Sequence, residues 1–170
     1  GTTADLTGTI MQHVYETLYT FDAKWAVVPM LAEGQPKISA DGKQYAITLR
    51  KGVMLHNGRE LTAEDVVASL QRWMEQAPRG KALAQVTASV KANGTHGIDI
   101  VLKAPYAPLL SQLALPSGMA AIMAKDSIAS PLKDFVGTGP YKFKERRPDQ
   151  FVLLSRFDKY AARKEPANGY

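Results

Sequence analysis

Residues 61–76 have the sequence LTAEDVVASLQRWMEQ, which is the most informative stretch of the chain. Thr62 is a favourable N-cap residue, and acidic residues follow it in the first turn. The apolar residues beyond them recur at helical spacing and form one stripe: Val66, Val67, Leu70, Trp73 and Met74. Pro78 and Gly80 then stop the helix. The sequence therefore predicts an amphipathic helix over residues 63–76.

Alternating apolar residues on both sides of this helix predict β-hairpins. One hairpin is expected over residues 37–50 with its turn at Asp41-Gly42, and another over residues 86–102 with its turn at Asn93-Gly94. The other predicted elements are helices over residues 9–18 and 109–115, a buried strand over residues 120–123, and strands over residues 141–145 and 151–156. This succession predicts a chain of mixed helix and strand content.

Composition excludes several classes of protein. The 170 residues include no cysteine, which excludes disulfides, thiolate catalysis and cysteine-bound zinc. Apolar stretches are too short to predict a membrane-spanning helix. The net charge of +5 comes from scattered basic residues. Their densest group, within residues 142–147, is interpreted as solvated surface, although a basic nucleic-acid-binding module stays open as an alternative.

No catalytic or metal-binding constellation is recognisable in the sequence. His13, His56 and His96 do not lie at a metal-ligand spacing, and no Gly-x-Ser-x-Gly nucleophile motif is present. Residues 137–140, GTGP, lack the Lys-Ser/Thr ending of a phosphate-binding loop. The two glycines instead predict a tight crossing between packed elements. We therefore expect no enzyme, no metal site and no cofactor, with a small hydrolase domain as the alternative.

Five segments together resemble one known family, in the same order and at similar spacing. They are VYETL at 14–18, VPMLAE at 28–33, LRKGVMLHNG at 49–58, LTAEDV at 61–66 and VGTGPY at 136–141. The family is that of the extracellular solute-binding proteins of family 5, the peptide- and nickel-type binding proteins of ABC importers. Its members have two α/β lobes that close on a ligand, with an extra domain inserted in the first lobe.

The resemblance implies that this chain is similar to the N-terminal third of a family member. The expected fold is α/β (mixed α+β), a partial lobe of a type II-like periplasmic binding protein with an inserted β-rich α+β domain. Residues 1–36 and 137–170 would be first-lobe segments, and residues 37–136 the inserted domain. The second lobe would be absent from this chain.

The resemblance also implies a function and a set of ligand-binding residues. The chain would be a fragment of a periplasmic, extracytoplasmic binding protein that captures a peptide or similar small solute and delivers it to an ABC-type permease. Segments that line the cleft in relatives correspond here to Thr7, Gly8, Thr9, Arg79, Gly80, Pro116, Ser117, Gly118 and Met119. Nickel-type relatives carry a cation in the last of these loops, and its absence here favours an organic ligand over a metal chelate.

Overall fold

The computed structural model describes residues 3–165, with the side chains of residues 3–6 left undescribed. Its helices are α1 Thr3–Val14, α2 Ala63–Gln76, α3 Pro78–Val86 and α4 Leu109–Ala114, with a short 3-10 turn at Lys125–Ser127. Its strands are β1 Tyr19–Phe21, β2 Val27–Pro29, β3 Lys37–Ile38, β4 Gln44–Thr48, β5 Thr87–Asn93, β6 Gly97–Leu102, β7 Tyr141–Arg147 and β8 Phe151–Arg156. None of the described helices is long and apolar enough to cross a membrane.

An antiparallel sheet with strand order β3-β4-β6-β5 lies at the centre of the chain. Exposed and buried residues alternate along β4, as the sequence pattern predicted. Tyr45 lies opposite Ile100 and Ile47 opposite Ile98, so one face of the sheet is apolar. Helix α2 packs against this sheet, and its buried Val66, Leu70 and Trp73 join the same core. The strands β1-β2 and β7-β8 form two separate hairpins.

Helix α2 has the predicted bounds, and its first turn is anchored by a buried carboxylate. The carboxylate of Asp65 accepts a hydrogen bond from the Thr62 amide at 2.9 Å, which satisfies a free donor of the helix terminus. It also accepts two hydrogen bonds from the Arg59 guanidinium, at 2.6 and 2.9 Å, and one from the Lys125 amide at 2.9 Å. Asp65 therefore ties α2 to the chain segment that follows α4.

The GTGP segment makes the close crossing that its glycines predicted. A Cβ atom on Gly137 would lie 2.2 Å from the Val14 carbonyl oxygen, and one on Gly139 would lie 2.5 Å from that of His13. The Gly139 amide donates to the Val14 oxygen at 2.9 Å. The His56 ring holds the other side of the crossing, since its Nε2 contacts the Gly139 oxygen at 2.9 Å. Glycine is required at both positions, because a side chain there would overlap the backbone of residues 13 and 14.

The predicted helix over residues 9–18 is wrong at both ends, since α1 begins at Thr3 and ends at Val14. Beyond it, Glu16 is buried and in bridge pairing with Ile122. Its carboxylate accepts hydrogen bonds from the Thr138 hydroxyl and the Tyr160 hydroxyl, both at 3.0 Å. Burial raises the pKa of Glu16, while these two hydrogen bonds lower it. These long-range partners keep residues 15–18 outside the helix, although their apolar spacing suits one.

Two other local predictions also need correction. Residues 120–123 do not form a strand, because only Ile122 makes an isolated bridge, to Glu16. Pro78 and Gly80 do follow the end of α2, but they begin α3, with Pro78 in its first turn where a missing amide costs nothing. A Cβ atom on Gly80 would lie 2.0 Å from the Trp73 carbonyl oxygen, so this glycine permits the two helices to cross closely.

Candidate functional site

An open cavity of about 840 Å³ lies between α1, the second half of α2 and the loop after α4. This volume falls within the range of small-molecule sites. Its described lining residues are Thr7, Gly8, Thr9, Met11, Gln12, Arg72, Trp73, Gln76, Ala77, Pro116, Ser117, Gly118, Met119, Ala121, Met123 and Leu132. The wall therefore combines apolar and sulfur-containing surface with a few amides, hydroxyls and one guanidinium.

The structure brings two of the three predicted binding segments together in this cavity. Residues 7–9 belong to α1 and line one wall. Residues 116–119, more than 100 positions further along the chain, form the loop that lines the facing wall. Gly118 adopts a left-handed conformation with φ of 58°, which suits a residue without a side chain at the tip of this loop. Residues 7–9 are all helical, whereas the predicted helix began only at residue 9.

Arg79 does not line the cavity but supports the loop that does. Its guanidinium donates hydrogen bonds to the backbone carbonyls of Gln112 at 2.6 Å and Gly118 at 3.0 Å, and to that of Ser117. It also lies over the Trp73 ring, 5.5 Å from the ring centroid. The indole Nε1 of Trp73 donates to the same Gly118 carbonyl at 2.9 Å. Arg79 and Trp73 together fix the position of residues 116–119.

Gly80, the other predicted residue of this segment, lies buried at the crossing of α2 and α3. It does not line the cavity. Burial lowers the pKa of the Arg79 guanidinium, which nevertheless stays protonated at any physiological pH. The segment therefore contributes to the cavity through support of the loop.

The predicted set of site residues does not include Arg72, which lines the cavity. Its Nε is buried without a hydrogen-bond partner, and the described residues offer its guanidinium no ion pair. The spacing of Arg72 and Gln76 by four residues places them on one face of α2, next to Trp73. That spacing was the only sequence indication that Arg72 belongs to the site. The sequence did not show that this face of α2 lies opposite α1 and the loop at residues 116–119.

The chemistry that the cavity can offer follows from its described lining residues. Among the described side chains, those of residues 7–165, no group of three His, Asp or Glu could hold a metal ion. The described lining residues offer neither a histidine nor a carboxylate that could act as a general base. They offer hydrogen-bonding groups on an apolar surface, which is the usual composition of a small-molecule binding site.

Comparison with known proteins identifies the same family that the sequence motifs resemble. A family model described as bacterial extracellular solute-binding proteins, family 5 Middle, matches residues 26–169. A probable peptide ABC transporter periplasmic-binding protein of Sinorhizobium fredii is 32% identical over 99% of this chain and 32% of its own length. The nickel-binding periplasmic protein of Escherichia coli K12 is 31% identical over 86% of this chain and 29% of its own length.

Among solved structures, NikA from Brucella suis in complex with Fe(III)-EDTA superposes with a TM-score of 0.83 at 30% identity. The match covers 92% of this chain and 32% of that one. The fold is thus part of one lobe of a periplasmic binding protein. The chain belongs to the bacterial extracellular solute-binding proteins of family 5, and it spans about a third of the length of the relatives it matches.

Proposed function

We propose that the chain is the N-terminal part of an extracytoplasmic solute-binding protein that captures a peptide or similar small organic solute for an ABC-type permease. The observation that carries this proposal is the cavity between residues 7–9 and residues 116–119, two segments that the family resemblance had independently indicated as ligand-facing. Membership of the family supports the class of function. The periplasmic relatives support an extracytoplasmic location and a membrane permease as partner.

We further propose that residues 1–36 and 137–170 belong to the first lobe and residues 37–136 to an inserted domain. The four-stranded sheet and α2 lie wholly within residues 37–136, which supports this division. In the proposed mechanism, a second lobe outside this chain closes over the cavity. A ligand that contacts both lobes shifts the equilibrium towards the closed form, and polar contacts strengthen as water leaves.

The half of the site seen here would supply only part of the binding energy. We therefore expect the isolated chain to bind weakly or not at all. The full two-lobed protein is the proper material for a test, and native mass spectrometry after purification from its host would identify the solute that it carries. Calorimetry with di- and tripeptides and glutathione would then measure affinity directly.

A cavity-filling variant makes this test specific for the site. Gly8 lines the cavity and has no atom within 4 Å of the position of a Cβ, so Gly8→Leu extends a side chain into open space. Leucine also suits a helix better than glycine, so stability should not fall. We expect a loss of affinity of roughly tenfold or more. Gln71→Leu, on an exposed position of α2 outside the cavity, is the matched control. Equal affinity of both variants and the parent protein would contradict the proposed site.

A further inference from the structure

Arg72 is a half-buried cation in the cavity wall, and no described residue forms an ion pair with it. Its Nε atom is inaccessible to solvent and has no hydrogen-bond partner. None of the ion pairs among the described residues includes it. A buried donor that stays unpaired destabilises the fold, and more so when it is charged. The Arg72 guanidinium thus lines the cavity without a counter-ion among the described residues.

The second cation beside the cavity has no counter-ion among the described residues either. The Arg79 guanidinium donates to backbone carbonyls of residues 112–118 and to the side-chain oxygen of Gln112, all of which are neutral. The described lining residues include no aspartate and no glutamate. Among the described residues, two positive charges and no negative one thus lie at the cavity. This potential favours an anionic group of the ligand.

The number of free donors discriminates between kinds of anion. Arg79 has its donors engaged by the loop, so Arg72 supplies the one free guanidinium of the described lining, and no lysine lines the cavity. A guanidinium fork matches the two oxygens of a carboxylate, which carries a single charge. A phosphate carries up to two charges and usually calls for several cations or a cluster of backbone amides. One guanidinium therefore fits a carboxylate better than a phosphate.

We propose that Arg72 binds a carboxylate of the transported solute and makes the site selective for carboxylate-bearing ligands. Gln12 and Gln76 lie on the same lining and supply amides for neighbouring polar groups, while Trp73 and Met11 offer apolar contact to the rest of the molecule. This inference rests on the proposed function, because it specifies the class of ligand for the same cavity.

The test compares acids with their amides in the full two-lobed protein. Di- and tripeptides and glutathione are first screened by calorimetry, and each carboxylate of the best ligand is then converted to the primary amide in turn. Binding of acid and amide is measured for the parent protein, Arg72→Gln and Arg72→Lys. Lys91→Gln, an exposed cation on β5 away from the cavity, is the control for loss of one positive charge.

We expect one amide to bind the parent protein roughly 10- to 100-fold more weakly than the acid, the range for a lost charge-assisted hydrogen bond. Arg72→Gln should lose a similar factor for the acid and little for that amide, while Arg72→Lys recovers part of the loss. Equal effects of Arg72→Gln on acid and amide, or none, would overturn the role of Arg72 and leave the proposed function standing. If none of the screened compounds binds the parent protein and native mass spectrometry finds no carried solute, the proposed function itself fails, and this inference with it.

Discussion

Replacing Gly137 by alanine should destabilise the protein by about 2.5 kcal/mol. The added Cβ would lie 2.2 Å from the Val14 carbonyl oxygen, 3.1 Å from its carbonyl carbon and 2.6 Å from Cδ1 of Tyr15. The two nearest backbone atoms cannot rotate away, and the Tyr15 ring is buried. The crossing must therefore open, which also strains the hydrogen bond from the His56 amide to the Gly137 oxygen, 2.9 Å long.

The magnitude follows from two opposing contributions. Overpacking of a rigid site costs about 1–3 kcal/mol, and backbone contacts place Gly137 at the upper end of that range. The substitution also stabilises the folded protein by about 0.5 kcal/mol, because alanine has fewer conformations than glycine in the unfolded chain. With a typical dependence of stability on urea, the net loss lowers the unfolding midpoint by roughly 1 M.

Urea unfolding followed by tryptophan fluorescence is the appropriate assay. Gly8→Ala is the matched control, because its Cβ meets no atom within 4 Å and the residue lies inside α1. This control should gain about 0.5–1 kcal/mol from helix propensity, so the same chemical change has opposite signs at the two sites. A Gly137→Ala midpoint equal to or above that of the parent protein would refute the argument that backbone contact requires glycine there.

Three further predictions concern other contacts of the fold. Asp65→Asn should cost about 3 kcal/mol in urea unfolding, because it disrupts a hydrogen-bonded ion pair whose carboxylate is buried. Glu64→Gln, on the exposed side of the same turn, should change stability by less than about 0.5 kcal/mol. Similar losses for both would contradict this. Burial lowers the pKa of His56, so the unfolded chain binds more protons below about pH 6.5 and stability should rise with pH through that range. His56→Gln should flatten the rise in urea midpoints between about pH 5 and 7, and an unchanged slope would exclude His56 as its source. Trp73→Phe removes the hydrogen bond to the Gly118 carbonyl, so amide hydrogen exchange of residues 117–119 should accelerate about fivefold. Unchanged exchange would mean that this bond does not hold the loop.

Much of the secondary structure could be predicted from the sequence because its determinants are local. The apolar stripe of α2 and the alternation in β4 are repeats over a few residues, and both elements form as predicted. The turns at Gly42 and Gly94 were also predicted, because Asp-Gly and Asn-Gly favour hairpin turns. Both glycines adopt the positive φ that such turns require. The family could also be recognised, because its motifs are short segments whose order along the chain is visible without coordinates.

The end of α1 could not be predicted by the same reasoning. Residues 15–18 have helical spacing, but Glu16 finds its partners at Thr138 and Tyr160, more than 120 residues away. Similarly, the spacing of α3 gave little indication of a helix, and its position depends on the contact of Gly80 with the Trp73 backbone. Competing long-range partners decide such segments, and periodicity contains no information about them.

The sequence by itself determined the family, most of the elements and two of the segments that meet at the cavity. Only the tertiary structure decided what each side chain does there. It assigned Arg79 to the support of the loop, and it placed Arg72 in the wall with no ion-pair partner among the described residues. The physical reason is that hydrogen bonds and charge pairing depend on distances of a few ångströms between residues far apart in the chain, and packing alone sets those distances.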